Sequence, residues 1–250
     1  MLAHRRYEQI LDRLRDEGPA EVRALADLVS VSEATVRRDL ARLQRDGLLY
    51  RVRGGAALSG QAEPPFAHSA TTHLPDKEAV ASRAAQMIRD GDVVLLDIGT
   101  TVHRLAARLA GRHVTVVTSN LAVYETLATD VAVDLILLGG SVRRNYRSMI
   151  GFLTEQALRQ IHVGTLFLGT SGIRDTGAVL DTTTVEVPVK HAMIAAADKV
   201  VLLADPGKFP GSGLARVCGP GDVDVLVTRE AACTRTRAAF EDAGSEVVLA

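Results

Sequence analysis

The sequence predicts an α/β protein with two domains: a small helical domain with a hairpin, then a larger domain built on a parallel sheet. Helix-type periodicity dominates residues 1–58, and repeated strand-then-helix units begin near residue 76. Between them, residues 59–75 (SGQAEPPFAHSATTHLP) contain Pro, Gly, Ser and Thr without periodicity, which is typical of a linker. We therefore expect domains at 1–58 and 76–250, joined by a linker at 59–75.

Composition restricts the class of protein. The 250 residues are 47% hydrophobic and 24% charged, which is typical of a folded globular chain rather than a disordered one. No apolar run reaches the ~18–20 residues of a membrane helix, and the first 18 residues carry charges among their apolar positions, unlike a signal peptide. Cys218 and Cys233 have no CxxC spacing, which argues against a disulfide scaffold or structural zinc. We expect a soluble cytoplasmic protein without metal, cofactor or membrane contact.

The N-terminal domain is predicted to contain three helices and a hairpin. The first helix has one apolar face formed by Tyr7, Ile10, Leu11 and Leu14. It ends at Gly18-Pro19, and a second short helix follows over residues 20–28. Ser32 caps a third helix over residues 33–46, and Gly47 ends that helix. Two short strands flanking Gly54-Gly55 complete the domain as a hairpin.

The third helix carries arginines opposite its apolar face. With Val36, Leu40 and Leu43 inward, the outer face is basic, and residues 33–53 hold six arginines against three carboxylates in a chain of net charge −1. Arginine pairs bidentately with guanine in the major groove, so a helix-turn-helix over residues 20–39 with a hairpin wing indicates DNA binding. A three-helix interaction module with a solvated arginine face is the alternative. The predicted DNA-contacting residues are Ser32, Thr35, Arg37, Arg38, Arg42, Arg45, Arg51 and Arg53.

The same residues resemble a known family. The segment VSVSEATVRRDLARLQRDGLLYRVRGGA is similar to the DNA-binding signature of the deoxyribose-operon repressor (DeoR) family. In that signature a V-S-x-x-T-[IV]-R-R-D-L recognition helix precedes a wing that ends in G-G-A. Arg53 stands where the family usually has histidine, and the change keeps a phosphate-seeking group. The resemblance implies a winged helix-turn-helix that binds double-stranded operator DNA.

The C-terminal domain alternates apolar strands with helices. Near-continuous apolar strands separated by helices predict a Rossmann-like parallel sheet covered on both faces. The predicted strands are 93–98, 114–118, 133–138, 165–168, 200–204, 223–227 and 246–249. The predicted helices are 77–89, 102–109, 122–129, 153–161, 184–197 and 231–242.

Polar, glycine-rich segments follow five of these strands. The carboxyl ends of parallel strands share one edge of the sheet, where ligands bind, so we expect a site there for a small, hydroxyl-rich anion. Gly99-Thr100-Thr101 enters a helix whose N–H groups suit a phosphate. Lysines in the set are candidates to neutralise the anion, and carboxylates to accept from its hydroxyls. The predicted effector-binding residues are Asp97, Gly99, Thr100, Thr101, Ser119, Asn120, Gly139, Gly140, Ser171, Gly172, Glu186, Lys190, Asp205 and Lys208.

Each part of this site has a simpler interpretation. A glycine-rich segment after a strand is usually turn chemistry. Glu186 and Lys190, four residues apart, are also compatible with a surface helix pair, and Lys77 with the first turn of a surface helix.

The family resemblance continues through this domain. The segments DKEAVASRAAQMIRDGDVVLLDIGTT, TSN, LGG and LLADPGKF look like the DeoR effector domain, which is similar to isomerases of the ribose-5-phosphate type. With the N-terminal match, the resemblance covers nearly the whole chain. It implies an isomerase-type fold that senses a phosphorylated sugar without converting it. Two departures are Ser69, where the family often has arginine after the linker phenylalanine (here Phe66), and Thr228-Arg229 in place of a common Thr-Asp.

We therefore expect a repressor of a sugar or carbohydrate catabolism operon whose operator affinity depends on a phosphorylated sugar. Activation in place of repression stays open, as does the choice between homodimer and homotetramer. The competing hypothesis is a sugar-phosphate isomerase-like enzyme with an accessory N-terminal domain, using Asp97, Glu186 and Asp205 as acids or bases. No residue stands out as a tuned base, and an enzyme does not need a recognition helix. A pure protein-interaction module leaves the strand-end segments unexplained.

Overall fold

The computed structural model describes residues 3–17, 20–46, 48–52, 54–58 and 66–250. The chain forms two compact units, residues 1–64 and 65–250. Parts of the sequence predictions lie outside the described residues: Gly18, Pro19, Gly47, Arg53 and the first part of the predicted linker, residues 59–65. We call the two units the N-terminal unit and the sensor-side unit.

The N-terminal unit contains three helices and a small antiparallel sheet. Its elements are α1 (Ala3–Glu17), β1 (Ala20–Glu21), α2 (Val22–Val29), α3 (Glu33–Arg45), β2 (Leu49–Val52) and β3 (Gly55–Leu58). The three helices and the β2–β3 hairpin match the sequence prediction. The two-residue strand β1 was not predicted, and it pairs with β3 at the hairpin. A Cβ on Gly55 would lie 2.1 Å from the carbonyl oxygen of Ala20, so the pairing needs glycine there.

Local signals position α3. Ser30 ends α2 in the left-handed region with φ of +53°, and Ser32 caps α3 by accepting from the N–H of Thr35 at 3.2 Å. Val36 and Leu40 on α3 are fully buried against α1 and α2. These contacts fix which face of α3 points outward.

The sensor-side unit is built on a seven-stranded parallel sheet. Its helices are α4 (Phe66–Thr71), α5 (Leu74–Ala85), α6 (Thr100–Ala107), α7 (Leu121–Leu127), α8 (Phe152–Leu158), α9 (Val187–Ala195) and α10 (Thr234–Asp242). The sheet strands are β4 (Val93–Leu96), β5 (Val114–Thr118), β6 (Val133–Leu137), β9 (Val163–Gly169), β12 (Ala197–Leu203), β14 (Val225–Thr228) and β15 (Glu246–Leu249). The strand order is β15-β14-β12-β9-β4-β5-β6, and every pairing is parallel.

Helices cover both faces of this sheet. Leu96 packs on one face with Val102 and Leu105 of α6, whereas its neighbour Leu95 packs on the other face with Met193 of α9. Successive strand residues point to opposite faces, so a strand buried on both sides must be apolar throughout. The predicted parallel sheet with two covered faces is confirmed.

Two small antiparallel pieces were not predicted. They are the hairpin β7 (Ser141–Arg143) and β8 (Ser148–Ile150), and the three-stranded sheet of β10 (Gly172–Ile173), β11 (Val179–Asp181) and β13 (Ala215–Cys218). Strands of two to four residues carry too few positions to show alternation, so periodicity alone does not reveal them.

The second half of the predicted linker is helical. Residues 66–71 form α4 and α5 begins at Leu74, so the prediction of a linker extending to residue 75 is wrong for most of its second half. Phe66 is 4% exposed and packs into the sensor-side unit. The buried Phe66 ring is one of the contacts that hold this segment, although its Pro- and Ser-rich surroundings are typical of a linker.

Candidate functional site

The arginines of α3 lie on the surface opposite its buried face. Arg37, Arg38, Arg42 and Arg45 are all exposed. Arg37 pairs with Glu33 at 2.6 Å, with both side chains about half exposed. Such exposed pairs within one helix contribute at most ~0.5 kcal/mol to stability. Breaking the pair so that the guanidinium binds a phosphate or a base edge therefore costs little free energy.

One carboxylate of the α3 region is buried and paired with an arginine of α1. Asp39 is 5% exposed and accepts from Arg6 of α1, with Nε to Oδ2 at 2.9 Å and Nη2 to Oδ1 at 3.1 Å. This bidentate pair joins α1 to α3. The exposed face of α3 is therefore more basic than the sequence count of arginines and carboxylates indicates.

The remaining predicted DNA contacts lie at the start of α3 and on the hairpin. Ser32 is exposed and Thr35 half-buried, and their hydroxyl oxygens are 3.0 Å apart. These small side chains leave the helix start open to close approach by a groove. Arg51 is exposed on β2, while Arg53 lies outside the described residues.

The candidate effector site is a cleft where the strand order reverses. After β4 the chain adds β5 and β6 on one side, and β9 lies on the other, so the loops after β4 and β9 diverge at this point. The cleft is lined by Ile98, Gly99, Thr100, Thr101, Val102, Tyr146, Gly169, Thr170, Ser171, Asp181, Lys190, Leu203 and Lys208. Six predicted effector residues are in this set: Gly99, Thr100, Thr101, Ser171, Lys190 and Lys208.

The N-terminus of α6 opens into the cleft. Gly99 precedes the helix with φ of +123°, a conformation that side-chain-bearing residues rarely adopt. Its carbonyl accepts from the N–H of His103 at 3.0 Å, which starts the helix. The first N–H groups of a helix have no partner within it, so the Gly99–Thr101 turn offers donors and two hydroxyls to an anion.

Lys190 lies at the buried base of the cleft and is 1% exposed. Its ammonium donates to Asp97 Oδ2 and to the carbonyl of Gly169 at 3.1 Å, and it lies 3.8 Å from Asp181 Oδ2. Burial opposes the charge, but Asp97 and Asp181 outweigh it and raise the pKa of Lys190. Lys190 is thus a charged group already neutralised by carboxylates, which leaves Lys208 as the half-buried cation of the cleft.

Glu186 has different partners from Lys190. It is 1% exposed at the start of α9, and it accepts from Arg143 and from Ser148 Oγ at 2.7 Å. Burial raises the pKa of Glu186, while Ser148 and Arg143 act in the opposite direction. The surface helix pair considered for Glu186 and Lys190 is therefore wrong, because both side chains are buried on separate partners.

Eight predicted effector residues do not line the cleft. Asp97 lies beneath it, held by Lys190 and by the N–H of Gly169 at 2.9 Å. Asn120 Oδ1 caps α7 by accepting from Ala122 at 2.9 Å. A Cβ on Gly140 would lie 2.2 Å from Thr154 Oγ1, so this glycine serves packing. The full set outside the lining is Asp97, Ser119, Asn120, Gly139, Gly140, Gly172, Glu186 and Asp205.

Sequence reasoning missed Tyr146 and Asp181. Tyr146 lies between β7 and β8, and Asp181 ends β11, so both belong to the small antiparallel pieces that were not predicted. The polar run that begins at Asp181 (DTTT) is the one sequence signal that could have indicated a strand end there.

Lys77 is a buried residue rather than part of a surface helix. It is 3% exposed, and its ammonium donates to the carbonyl of Ser69 at 2.5 Å. Burial lowers the pKa of Lys77 to about 8, with Asp205 raising it and Lys208 lowering it. The surface interpretation of Lys77 is therefore wrong.

The described ranges contain neither a cluster of metal-ligating side chains nor a membrane-spanning helix. Across residues 3–17, 20–46, 48–52, 54–58 and 66–250, no three His, Cys, Asp or Glu side chains are grouped to hold a metal ion. In the same ranges no helix has the length and apolar character to span a membrane.

Known families and proteins match along the chain. A family described as "DeoR-like helix-turn-helix domain" matches residues 6–62, and one described as "DeoR C terminal sensor domain" matches residues 72–230. The chain is 32% identical over 250 residues to a "Putative aga operon transcriptional repressor" of Escherichia coli O157:H7, covering 98% of this chain and 93% of that protein. It is 36% identical over 227 residues to "Transcriptional repressor AccR" of Agrobacterium fabrum, covering 89% and 88%. It is 32% identical over 225 residues to the "Glycerol-3-phosphate regulon repressor" of Escherichia coli K12, covering 89% of each.

Proposed function

Because this chain belongs to the DeoR family of DNA-binding transcriptional regulators, we propose that it represses a sugar or carbohydrate catabolism operon and that a phosphorylated sugar changes its operator affinity. The family and the names of the relatives indicate a regulator rather than an enzyme, so the isomerase-like alternative is set aside. One relative is named for a glycerol-3-phosphate regulon, which supports a phosphorylated carbohydrate derivative as the signal.

The DNA half of the proposal uses the exposed face of α3. Thr35, Arg37 and Arg38, in the first half of the helix, are proposed to meet base edges or phosphates in the major groove. We propose that Arg42 and Arg45, further along the helix, contact the DNA backbone, and that Arg51 and Arg53 add phosphate or minor-groove contacts from the wing. The support is the exposure of the described arginines on one helix face.

The effector half is carried by one observation, the cleft at the strand-order reversal. The turn Gly99–Thr101 and Lys208 supply N–H, hydroxyl and cationic donors for a phosphate. Ser171 and Asp181, which also line the cleft, supply acceptors for sugar hydroxyls. A phosphorylated sugar has one anionic end and several hydroxyls, which is the chemistry that these lining residues complement.

Regulation requires the effector to bind two arrangements of the protein unequally, because equal affinity shifts no equilibrium. We propose that the sensor-side unit forms a homodimer or homotetramer that places two recognition helices on half-sites about one helical turn apart. The protein would act in the cytoplasm, where the operator DNA is.

The test is a titration of the purified protein against labelled DNA from upstream of its own gene, at fixed salt and with excess nonspecific competitor. It is repeated with a panel of sugar phosphates that includes glycerol 3-phosphate and ribose 5-phosphate. We expect specific binding that one panel member changes several-fold. Turnover of a panel member by the purified protein would contradict a pure sensing role.

A further inference from the structure

Helix α4 is held at both ends within the sensor-side unit. Its first residue, Phe66, is 4% exposed, and the N–H of Phe66 donates to the carbonyl of Asn145 at 3.0 Å. Near the other end, the buried ammonium of Lys77 donates to the carbonyl of Ser69 at 2.5 Å. Along the chain, residues 59–65 lie directly before α4 and lead back to the hairpin of the N-terminal unit. Helix α4 is therefore the first described element of the sensor-side unit after that segment.

The ring of Phe66 packs into a cluster of aromatic and cationic side chains. Its centroid lies 5.6 Å from that of His103 and 6.0 Å from that of Tyr146, both in edge-to-face geometry. The guanidinium carbon of Arg147 lies 5.6 Å from the Phe66 ring centroid. These arrangements are favourable for aromatic and cation–π contacts, and each depends on the orientation of the partner. The side chains packed around the Phe66 ring therefore come largely from the loop between β7 and β8.

Tyr146 belongs to both this cluster and the cleft. Its side chain lines the cleft together with Thr100 and Lys208, and its ring packs edge-to-face on Phe66. A ligand in the cleft therefore meets a side chain that also holds the first residue of α4. Packed side chains adopt discrete arrangements rather than deforming gradually. A shift of Tyr146 therefore changes the packing around the Phe66 ring.

The base of the Tyr146 loop is fixed to α9. Glu186 accepts from Arg143 on β7 and from Ser148 on β8, one on each side of the loop. The Arg143 guanidinium in turn lies 5.9 Å from the Tyr146 ring centroid. Helix α9 also carries Lys190 at the base of the cleft. The hairpin that carries Tyr146 is therefore joined to the helix that supplies the base of the cleft.

We propose that Tyr146 and Phe66 couple occupancy of the cleft to the segment that leads to the DNA-binding unit. This inference rests on the proposed function, since it requires an effector in the cleft. An occupied cleft repositions Tyr146, the packing around Phe66 changes, and α4, which follows the segment from the DNA-binding unit in the chain, shifts with it. Phe66 is then a positioning residue that acts through Tyr146 and touches neither DNA nor effector.

The experiment compares wild type, Phe66→Leu and Phe66→Ala in the full chain. Leucine keeps most of the buried apolar volume but removes the ring contacts, so Phe66→Leu is the informative variant if Phe66→Ala fails to fold. The probes are glycerol 3-phosphate, ribose 5-phosphate, glucose 6-phosphate and fructose 6-phosphate. Probe affinity is measured by calorimetry, and operator affinity is measured with and without each probe. Phe152→Ala, which alters a phenylalanine 71% exposed on the same unit, is the matched control.

We expect Phe66→Leu to bind the probe within about threefold of wild type and to bind operator without probe as wild type does. The effect of the probe on operator affinity should fall from several-fold to less than about twofold, which measures the lost coupling between sites. Phe152→Ala should keep the full effect.

Two results would overturn the coupling alone: a Phe66→Leu protein whose operator affinity responds as in wild type, or one that no longer binds the probe. A wild-type protein that binds none of the probes would overturn the proposed effector, and the coupling with it.

Discussion

The two units use their cations in opposite ways. The side chains of Arg37 and Arg42 on α3 are 54% and 64% exposed and pair with carboxylates four residues away, Glu33 and Asp46. In the sensor-side unit the Lys190 side chain is 2% exposed and is held by Asp97, directly after β4, and by Asp181 of β11. Removing an exposed cation costs the fold little but removes a contact available to a ligand, whereas removing a buried one leaves buried charges unpaired. The cations of the two units therefore differ in exposure and not in charge, and the exposed ones on α3 are the ones available to a ligand.

Substitution of the buried Lys190 has the largest expected effect on stability. Lys190→Met leaves Asp97 and Asp181 buried without their cation, so we expect the sensor-side unit to lose ~3–5 kcal/mol of unfolding free energy. Chemical denaturation followed by circular dichroism measures it. The control is Lys199→Met, at a half-buried position on β12, with an expected loss under ~1 kcal/mol. Equal losses of unfolding free energy in the two variants would show that burial of the lysine does not determine the cost of removing it.

Lys77 allows a test by pH. Its pKa is lowered by burial to about 8, so between that pH and its ordinary value of 10.5 the unfolded chain holds a proton that the folded chain does not. Stability rises with pH where the unfolded state binds more protons. The unfolding free energy of wild type relative to Lys77→Met should therefore increase from pH 8 towards pH 10, by at most about 3 kcal/mol. A constant difference over this range would show that Lys77 is not desolvated.

For an exposed arginine of α3 we expect that substitution lowers operator affinity without lowering the stability of the fold. Arg38→Ala should abolish specific operator binding, since one bidentate contact is worth ~1–3 kcal/mol per recognition helix, while thermal unfolding and effector binding stay unchanged. Electrophoretic mobility shift at fixed salt measures the affinity. Arg235→Ala removes another exposed arginine, from α10, and should bind operator normally. Normal operator affinity in Arg38→Ala would remove Arg38 from the recognition set.

The exposure of Lys208 is intermediate between that of the α3 arginines and that of Lys190, since it is half-buried and lines the cleft. We expect Lys208→Ala to weaken phosphosugar binding about tenfold, ~1.4 kcal/mol, and to leave operator affinity without effector unchanged. Isothermal calorimetry with the active panel member measures it, and Lys199→Ala is the charge-matched control. An unchanged phosphosugar affinity would make Lys208 a structural residue.

Sequence patterns indicated the sheet edge that holds the cleft better than they identified the residues that line it. The predicted turn Gly99–Thr101 lines the cleft, and the passage from the end of β4 into α6 at this turn is a local feature of the sequence. Gly139 and Ser119 also follow strands, yet they lie outside the lining. Their strands, β6 and β5, lie on the far side of β4 from β9, and strand order is not written in any local pattern.

The sequence by itself determined the helices of the N-terminal unit, the parallel strands and the exposed arginine face, because periodicity acts between residues a few positions apart. Only the tertiary structure decided the partners of the buried charges. Arg6 and Asp39 are 33 positions apart, and Lys190 and Asp97 are 93 positions apart. A buried charge takes whichever opposite charge the packing brings within reach, and that choice depends on how distant segments of the chain are brought together.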